Sequence, residues 1–142
     1  MEDNCLFLGI DGGILVLKEI EKINQIIDII HKNLSPDLLQ GKWKTQTNPL
    51  EGHCYIASES LWHLLDKENY QPYCATYYDE TGRCTHWWLV HKYFNIIADP
   101  TSGQYLPEKP PYNIGRKANF LTKHPSKRAK ILIDRVNNIN GN

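Results

Sequence analysis

The sequence predicts an α+β fold built on an antiparallel sheet, with helices packed on one side. Two observations carry this: a helical apolar periodicity over residues 17–34, and three consecutive β-rich runs between Tyr70 and Pro100 whose links are too short for a crossover. Helical and strand patterns are grouped along the chain and do not alternate, which argues against a doubly wound parallel sheet. At 142 residues the chain is one domain's worth. We therefore expect a single domain over 1–142 with a basic C-terminal segment over 112–136.

In chain order, "CLFLGIDGGILVL" reads as two short apolar runs around an Asp-Gly turn, a hairpin or a strand entering a helix. From Leu17 to Leu34, Ile20, Ile23, Ile26/Ile27, Ile30 and Leu34 recur at three and four, the pattern of an amphipathic helix. Ser35-Pro36 ends it, because the residue before proline is pushed out of the α region. "LLQGKWKTQTNPLEG" is a polar surface loop with Gly and Pro punctuation. A second helix follows from Cys54 to Leu65, burying Ile56 or Ala57, Leu61, Leu64 and Leu65. Then come the strands "YQPYCATYYD", "RCTHWWLVH" and "KYFNIIADP", the first two joined through Glu80-Thr81-Gly82 with Gly supplying positive φ, the last two joined near His91-Lys92. Four prolines make 100–115 a loop, and a last helix starts at Pro125, a residue suited to the first helical position, and runs to Val136.

The apolar fraction of 41% and charged fraction of 23% belong to an ordinary globular protein. No run approaches the roughly 18 apolar residues that cross a bilayer. The N-terminus is acidic where a signal peptide needs basic residues. We expect a cytoplasmic protein with no membrane partner. The four cysteines, Cys5, Cys54, Cys74 and Cys84, lack dense spacing and are expected as free thiols.

Formal net charge is zero, but from Arg116 to Arg135 seven basic residues face one acid, Asp134, a local excess of +6 that leaves −6 to the rest. If Pro125 opens the last helix, its free N–H groups join Lys127 and Arg128 in an anion-binding corner, with Arg116 also on the basic segment. A small anionic ligand fits this segment better than duplex nucleic acid, which needs phosphate contacts over a wider surface than an otherwise acidic chain offers.

Three chemical residues stand at element ends. Cys54 opens a helix, where unpaired N–H groups and the macrodipole favour thiolate over thiol. His86 begins "HWWLV", so its ring is expected at the strand's mouth, and Asp99 closes "NIIADPT". Antiparallel pairing of these two strands makes His86 and Asp99 neighbours, and the second helix packed across that edge brings the sulfur to them. Such a set performs acyl transfer: thiolate attacks, imidazole moves the proton, carboxylate fixes the ring. The Cys54 backbone N–H supplies one oxyanion donor, with Asn48, Gln46 or Trp43 as candidates for a second. Further candidates for the substrate pocket are His53, Trp88, Thr101 (as an orienter of Asp99) and Gln104, with Arg116, Lys127 and Arg128 for an anionic group. Trp87 and Trp88 alternate faces, and core packing is the expectation for both rings. Zinc is not expected: Cys54, Cys74, Cys84, His53, His86 and His91 include no pair at the spacing of a structural site. No cofactor is expected.

"GHCYIAS", "THWWLV" and "IIADPTSGQY" resemble the Cys, His and Asp boxes of the transglutaminase-like branch of papain-fold cysteine enzymes. The resemblance covers about Pro49 to Gln104. It implies a papain-like core and a hydrolase or acyltransferase acting on an amide-type bond of a protein, peptide or small amide, through Cys54, His86 and Asp99. The chain is also similar to small phage and bacterial proteins of the YunG type, a likeness that implies no substrate. The alternative is a catalytically inactive papain-like binding protein that holds an anionic, nucleotide-like ligand or a host protein, as a phage counter-defence factor would.

Overall fold

The computed structural model describes residues 3–39 and 53–141. Three α-helices, α1 (Asp3–Asn33), α2 (Cys54–Leu64) and α3 (Lys127–Gly141), accompany four strands, β1 (Tyr70–Asp79), β2 (Gly82–His91), β3 (Ile97–Ala98) and β4 (Arg116–Lys117). The strands form one antiparallel sheet in the order β3-β2-β1-β4. The architecture is thus α+β with an antiparallel sheet.

The β1–β2 hairpin is the backbone of the sheet, pairing from Tyr70 opposite His91 to Asp79 opposite Gly82. Gly82 takes φ of 108°, the conformation that closes so tight a turn. Residues opposite one another share a face, so Tyr70, Pro72, Cys74, Trp87 and Leu89 look one way and Tyr73, Ala75, Tyr77, Cys84, His86 and Trp88 the other. The first face carries the helices. Ile56, Ala57, Leu61 and Leu65 from α2 and its end meet Tyr70 and Leu89 there, joined by Ile23 and Ile30 of α1 and by Leu132 and Val136 of α3. Each of these aliphatic side chains contributes about 1.5–3 kcal/mol by leaving water. The second face is covered by the 100–115 segment, whose 3₁₀ turns Ser102–Tyr105 and Tyr112–Ile114 lay Tyr105 and Tyr112 against His86 and Trp88.

Four departures from the sequence reading have physical causes. The expected Asp-Gly hairpin is instead the first half of α1, continuous through Gly12 and Gly13. A helix satisfies its backbone locally, and glycine inside it costs only about 1 kcal/mol. The third strand is confined to Ile97–Ala98, because His91 Nδ1 accepts the N–H groups of Tyr93 (3.2 Å) and Phe94 (3.1 Å) and folds 92–95 into a turn, with Asn95 at φ of 56°. The unforeseen β4 is a charged dipeptide at the sheet edge, extended by the Ala118 N–H bond to Pro72 O at 3.0 Å. The last helix begins at Lys127, two residues after Pro125, because Ser126 caps it: Ser126 Oγ accepts the Ala129 N–H at 3.3 Å.

No helix among the described residues is long and apolar enough to cross a membrane.

Candidate active site

The site forms where β3 stops and α2 starts. Backbone groups of alternate strand residues point to opposite neighbours. On β2 the odd residues turn toward β3, as the His91 N–H bond to Ile96 O at 2.8 Å marks. Beyond the two β3 residues no strand among the described residues pairs with this edge, and α2 takes its place. Ser58 Oγ donates to Trp87 O at 2.9 Å, and Cys54 Sγ donates to Thr85 O at 3.5 Å. The first turn of α2 is thus bonded to the open edge of β2 by its own side chains, and Cys54 stands in the plane of the sheet.

His86 lies midway along β2 opposite Ala75 and is fully buried, which corrects the expectation of a ring at the strand's mouth. The β2–β3 register, Leu89 opposite Ala98, carries the chain past the pair so that Asp99 arrives beside it. His86 Nε2 and Asp99 Oδ2 are 2.6 Å apart, both side chains nearly inaccessible. Asp99 accepts two more bonds, from the Thr101 N–H to Oδ1 (3.0 Å) and from the Tyr112 hydroxyl to Oδ2 (2.8 Å). With the Thr101 N–H and the Tyr112 hydroxyl donating to Asp99 and an amide donor facing His86 Nδ1, the hydrogen between the pair belongs to Nε2 and the lone pair to Nδ1. Gln104 Nε2 lies 3.1 Å from Nδ1 and donates to it. The ring stacks on Trp88 (centroids 5.6 Å, 25°) and meets Tyr105 edge-on at 4.8 Å.

Cys54 and Gln104 line a common cleft of about 320 Å³, with Tyr77, Arg83, Tyr105 and Arg128 among its walls. Its volume matches the lower end of small-molecule sites. Cys54 is 8% exposed. Burial pushes its thiol up to about 12, aided by the negative charge of Asp99; the N–H groups of Trp87 and Tyr55 oppose the rise without reversing it. The expected thiolate is therefore corrected: at neutral pH the sulfur is a neutral thiol, since desolvation outweighs the helix terminus. Sulfur and imidazole are also not directly bonded here, as the thiol gives its hydrogen to Thr85 and Nδ1 is taken by Gln104.

The other candidates separate clearly. Gln104 is in the cleft, and Thr101 holds Asp99 through its backbone N–H. His53 is buried with Nε2 3.0 Å from Ser35 O, tying the end of α1 to the start of α2, so it serves the fold and not the pocket. Trp88 is 2% exposed among Tyr73, His86 and Tyr112, a packed ring and no substrate wall. Trp87 packs on the helical face against Tyr55 and Phe120. Asn48, Gln46 and Trp43 lie outside the described residues.

The basic segment does not form one patch. Arg116 is on β4, at the sheet edge opposite Cys54, and Lys127 is exposed at the start of α3. Arg135 binds Asn33 O, Ser35 Oγ and Asp37, clasping the end of α1. Arg128 donates to Leu38 O at 2.5 Å and reaches the cleft. The anion at the head of α3 is the protein's own: fully buried Glu59 accepts the Ser126 N–H and hydroxyl, both at 2.7 Å. Glu59 thus takes from within the Ser126 donors of the corner that the sequence offers to an anion.

Tyr112, Tyr105, Tyr77 and Arg83 were not singled out from the sequence. Their only signal is two tyrosines in a proline-rich loop, one in a tyrosine-rich strand and an arginine two positions before Thr85, none of which specifies a site. Cys54, Cys74 and Cys84 are free thiols. Among the described residues no group of three His, Cys, Asp or Glu is placed to hold a metal ion. No family model, no curated protein and no solved structure matches the chain.

Proposed function

We propose that the chain is a cysteine hydrolase or acyltransferase acting on amide-type bonds, with a papain-like core of the transglutaminase-like kind. The observation that supports this best is the buried His86–Asp99 pair at 2.6 Å, its remaining ring nitrogen bonded to a residue of the cleft that Cys54 lines. Buried imidazole–carboxylate pairs orient a base; a sulfur in the wall of the same cleft gives that base a nucleophile to serve.

Because the resting sulfur is a neutral thiol, the reaction proceeds by general-base catalysis and not from a preformed ion pair. Gln104 leaves Nδ1 when the acyl group enters, with Thr101 Oγ1, 3.5 Å from its amide, as the alternative partner. Cys54 Sγ then bonds to the carbonyl carbon while its proton passes to Nδ1. The carbonyl oxygen meets the N–H groups at the start of α2. As the C–N bond breaks, the proton moves from Nδ1 to the departing amine, leaving a thioester. Water or a second amine attacks that thioester; His86 takes the proton of the attacking group and returns it to the departing sulfur, which restores the neutral thiol and the free Nδ1 lone pair. Asp99 keeps the proton on Nε2 and stabilises the imidazolium.

One observation favours a second reading, a papain-like binding protein without catalysis that holds an anionic ligand or a host protein: the thiol is pushed up to about 12 and bonded to Thr85 O. Amine release from a panel of peptide and small acyl amides separates the two. The enzymatic reading expects release that Cys54→Ala and His86→Ala abolish; release unchanged in both variants, or absent across the panel, favours the binding protein.

A further inference from the structure

The cleft beside Cys54 has an unbalanced charge. Two of its walls are guanidinium groups, Arg83 and Arg128, and among the described residues that line it there is no aspartate or glutamate. Its other ionisable walls are phenols and thiols. Tyr77 and Tyr105 share a hydrogen bond at 2.8 Å, and burial pushes both hydroxyls above their ordinary range, so they add no negative charge at neutral pH. Asp99 stands outside the cleft wall, held by His86, Thr101 and Tyr112, and Asp79, whose charge Tyr77 feels, is at the turn end of β1 and also outside it. Glu59 is felt by Arg128 but is fully buried and committed to Ser126.

Arg128 is half-buried, and its bond to Leu38 O goes to a neutral carbonyl. A guanidinium presents five donors in a planar fork, more than this one bond uses. Arg83 stands near the turn end of β2, opposite Tyr78, and brings a second fork from the sheet side. Two such forks over a partly desolvated cleft form a site for a planar oxyanion, which a guanidinium binds through two parallel hydrogen bonds.

We propose that the acyl compound entering this cleft carries a carboxylate, recognised by Arg83 and Arg128, next to the carbonyl that Cys54 attacks. The proposal rests on the reading of Cys54 as nucleophile. It specifies the substrate class as acidic amides, such as peptides with an acidic side chain or a terminal carboxylate near the bond.

Two alkylating agents of nearly the same size test it, iodoacetate as the anionic probe and iodoacetamide as the neutral one. The full-length protein is labelled at neutral pH and low salt, and modification of Cys54 is followed by peptide mass spectrometry. The reference is the same sulfur in the urea-unfolded chain. The folded protein is expected to shift the rate ratio toward iodoacetate by about tenfold, the effect of one close charge in a partly screened site. Added salt should reduce the shift. Arg83→Gln should remove much of it, and Arg83→Glu should reverse it; both change an exposed side chain and leave the core intact. Succinate should protect Cys54 more strongly than inorganic phosphate. If Cys54 is labelled in the folded protein with the unfolded chain's ratio, or if the Arg83 variants leave the ratio unchanged, the carboxylate inference is overturned while the nucleophile reading stands. Stronger protection by phosphate overturns the carboxylate form. Labelling of Cys54 by neither probe overturns both readings, because the cleft would then not reach the sulfur.

Discussion

Gln104 Nε2 lies 3.1 Å from His86 Nδ1 and occupies the one ring nitrogen that Asp99 leaves open. A side chain from the 100–115 segment therefore stands between the base and the cleft that Cys54 lines. Replacing Gln104 by Ala frees the lone pair for the thiol proton. The expected result is faster alkylation of Cys54 by iodoacetamide at neutral pH, by about 3–10-fold, the worth of one neutral hydrogen bond. Site-resolved mass spectrometry reads the rate; an unchanged or lower rate contradicts the assignment of Gln104 as an occupant of Nδ1.

Glu59 ties α2 to the head of α3 through two bonds to Ser126. Glu59→Ala leaves a half-buried hydroxyl and N–H without their acceptor and should lower the unfolding free energy by about 3 kcal/mol. Glu59→Gln keeps one acceptor and should cost roughly 1–2 kcal/mol. Urea unfolding measures both, and equal losses would show that the acceptor oxygen glutamine keeps contributes nothing.

Gly115 lets the 112–117 segment lie on Trp88. A Cβ there would stand 2.4 Å from Cη2 and Cζ2 of the indole, a ring fixed between Tyr73, His86 and Tyr112. Gly115→Ala is expected to cost about 1–3 kcal/mol by overpacking and to shift the tryptophan emission. Wild-type stability and emission in this variant would mean that the indole yields easily.

Burial raises the Cys54 thiol to about 12 from an ordinary value near 9, and raises the Tyr70, Tyr105 and Tyr112 phenols above their ordinary 10. Between the unfolded and folded values the native state keeps protons that the unfolded chain has released, so stability falls as pH rises. These groups leave stability intact below pH 9. The loss begins there with Cys54 and deepens from pH 10 with the tyrosines. Urea midpoints across this range, with phenolate absorbance followed in parallel, check the order. A stability that stays level from pH 9 to 11 contradicts it.

Much of this arrangement was legible in the sequence because it depends on local signals. Cys54 opens a helix, and two short links force the antiparallel order that sets Asp99 beside His86. Depth was not legible. That the thiol is desolvated depends on the open edge of β2 and on the return of the 100–115 segment, both of which are tertiary events. The basic segment shows the same limit: one stretch of sequence sends Arg116 to a sheet edge, Arg128 to the cleft and Arg135 to the end of α1, so charge density along the chain does not become charge density on a surface. The Asp-Gly turn failed for the opposite reason. Its local signal was real, but a hairpin needs partners, and the flanking residues complete a helix without them.

The most direct measurement is acylation of Cys54 by an activated acyl donor, p-nitrophenyl acetate, followed as a burst of p-nitrophenol and by intact-protein and peptide mass. The account predicts stoichiometric acetylation at Cys54 ahead of Cys74 and Cys84, slowed by about 100-fold or more in a folded His86→Gln variant, the usual loss when a general base is removed. Asp99→Asn should slow it as well, by disturbing the proton on Nε2. Acetylation of Cys54 no faster than that of Cys74 and Cys84, or a rate indifferent to His86, would contradict a nucleophile served by the His86–Asp99 pair.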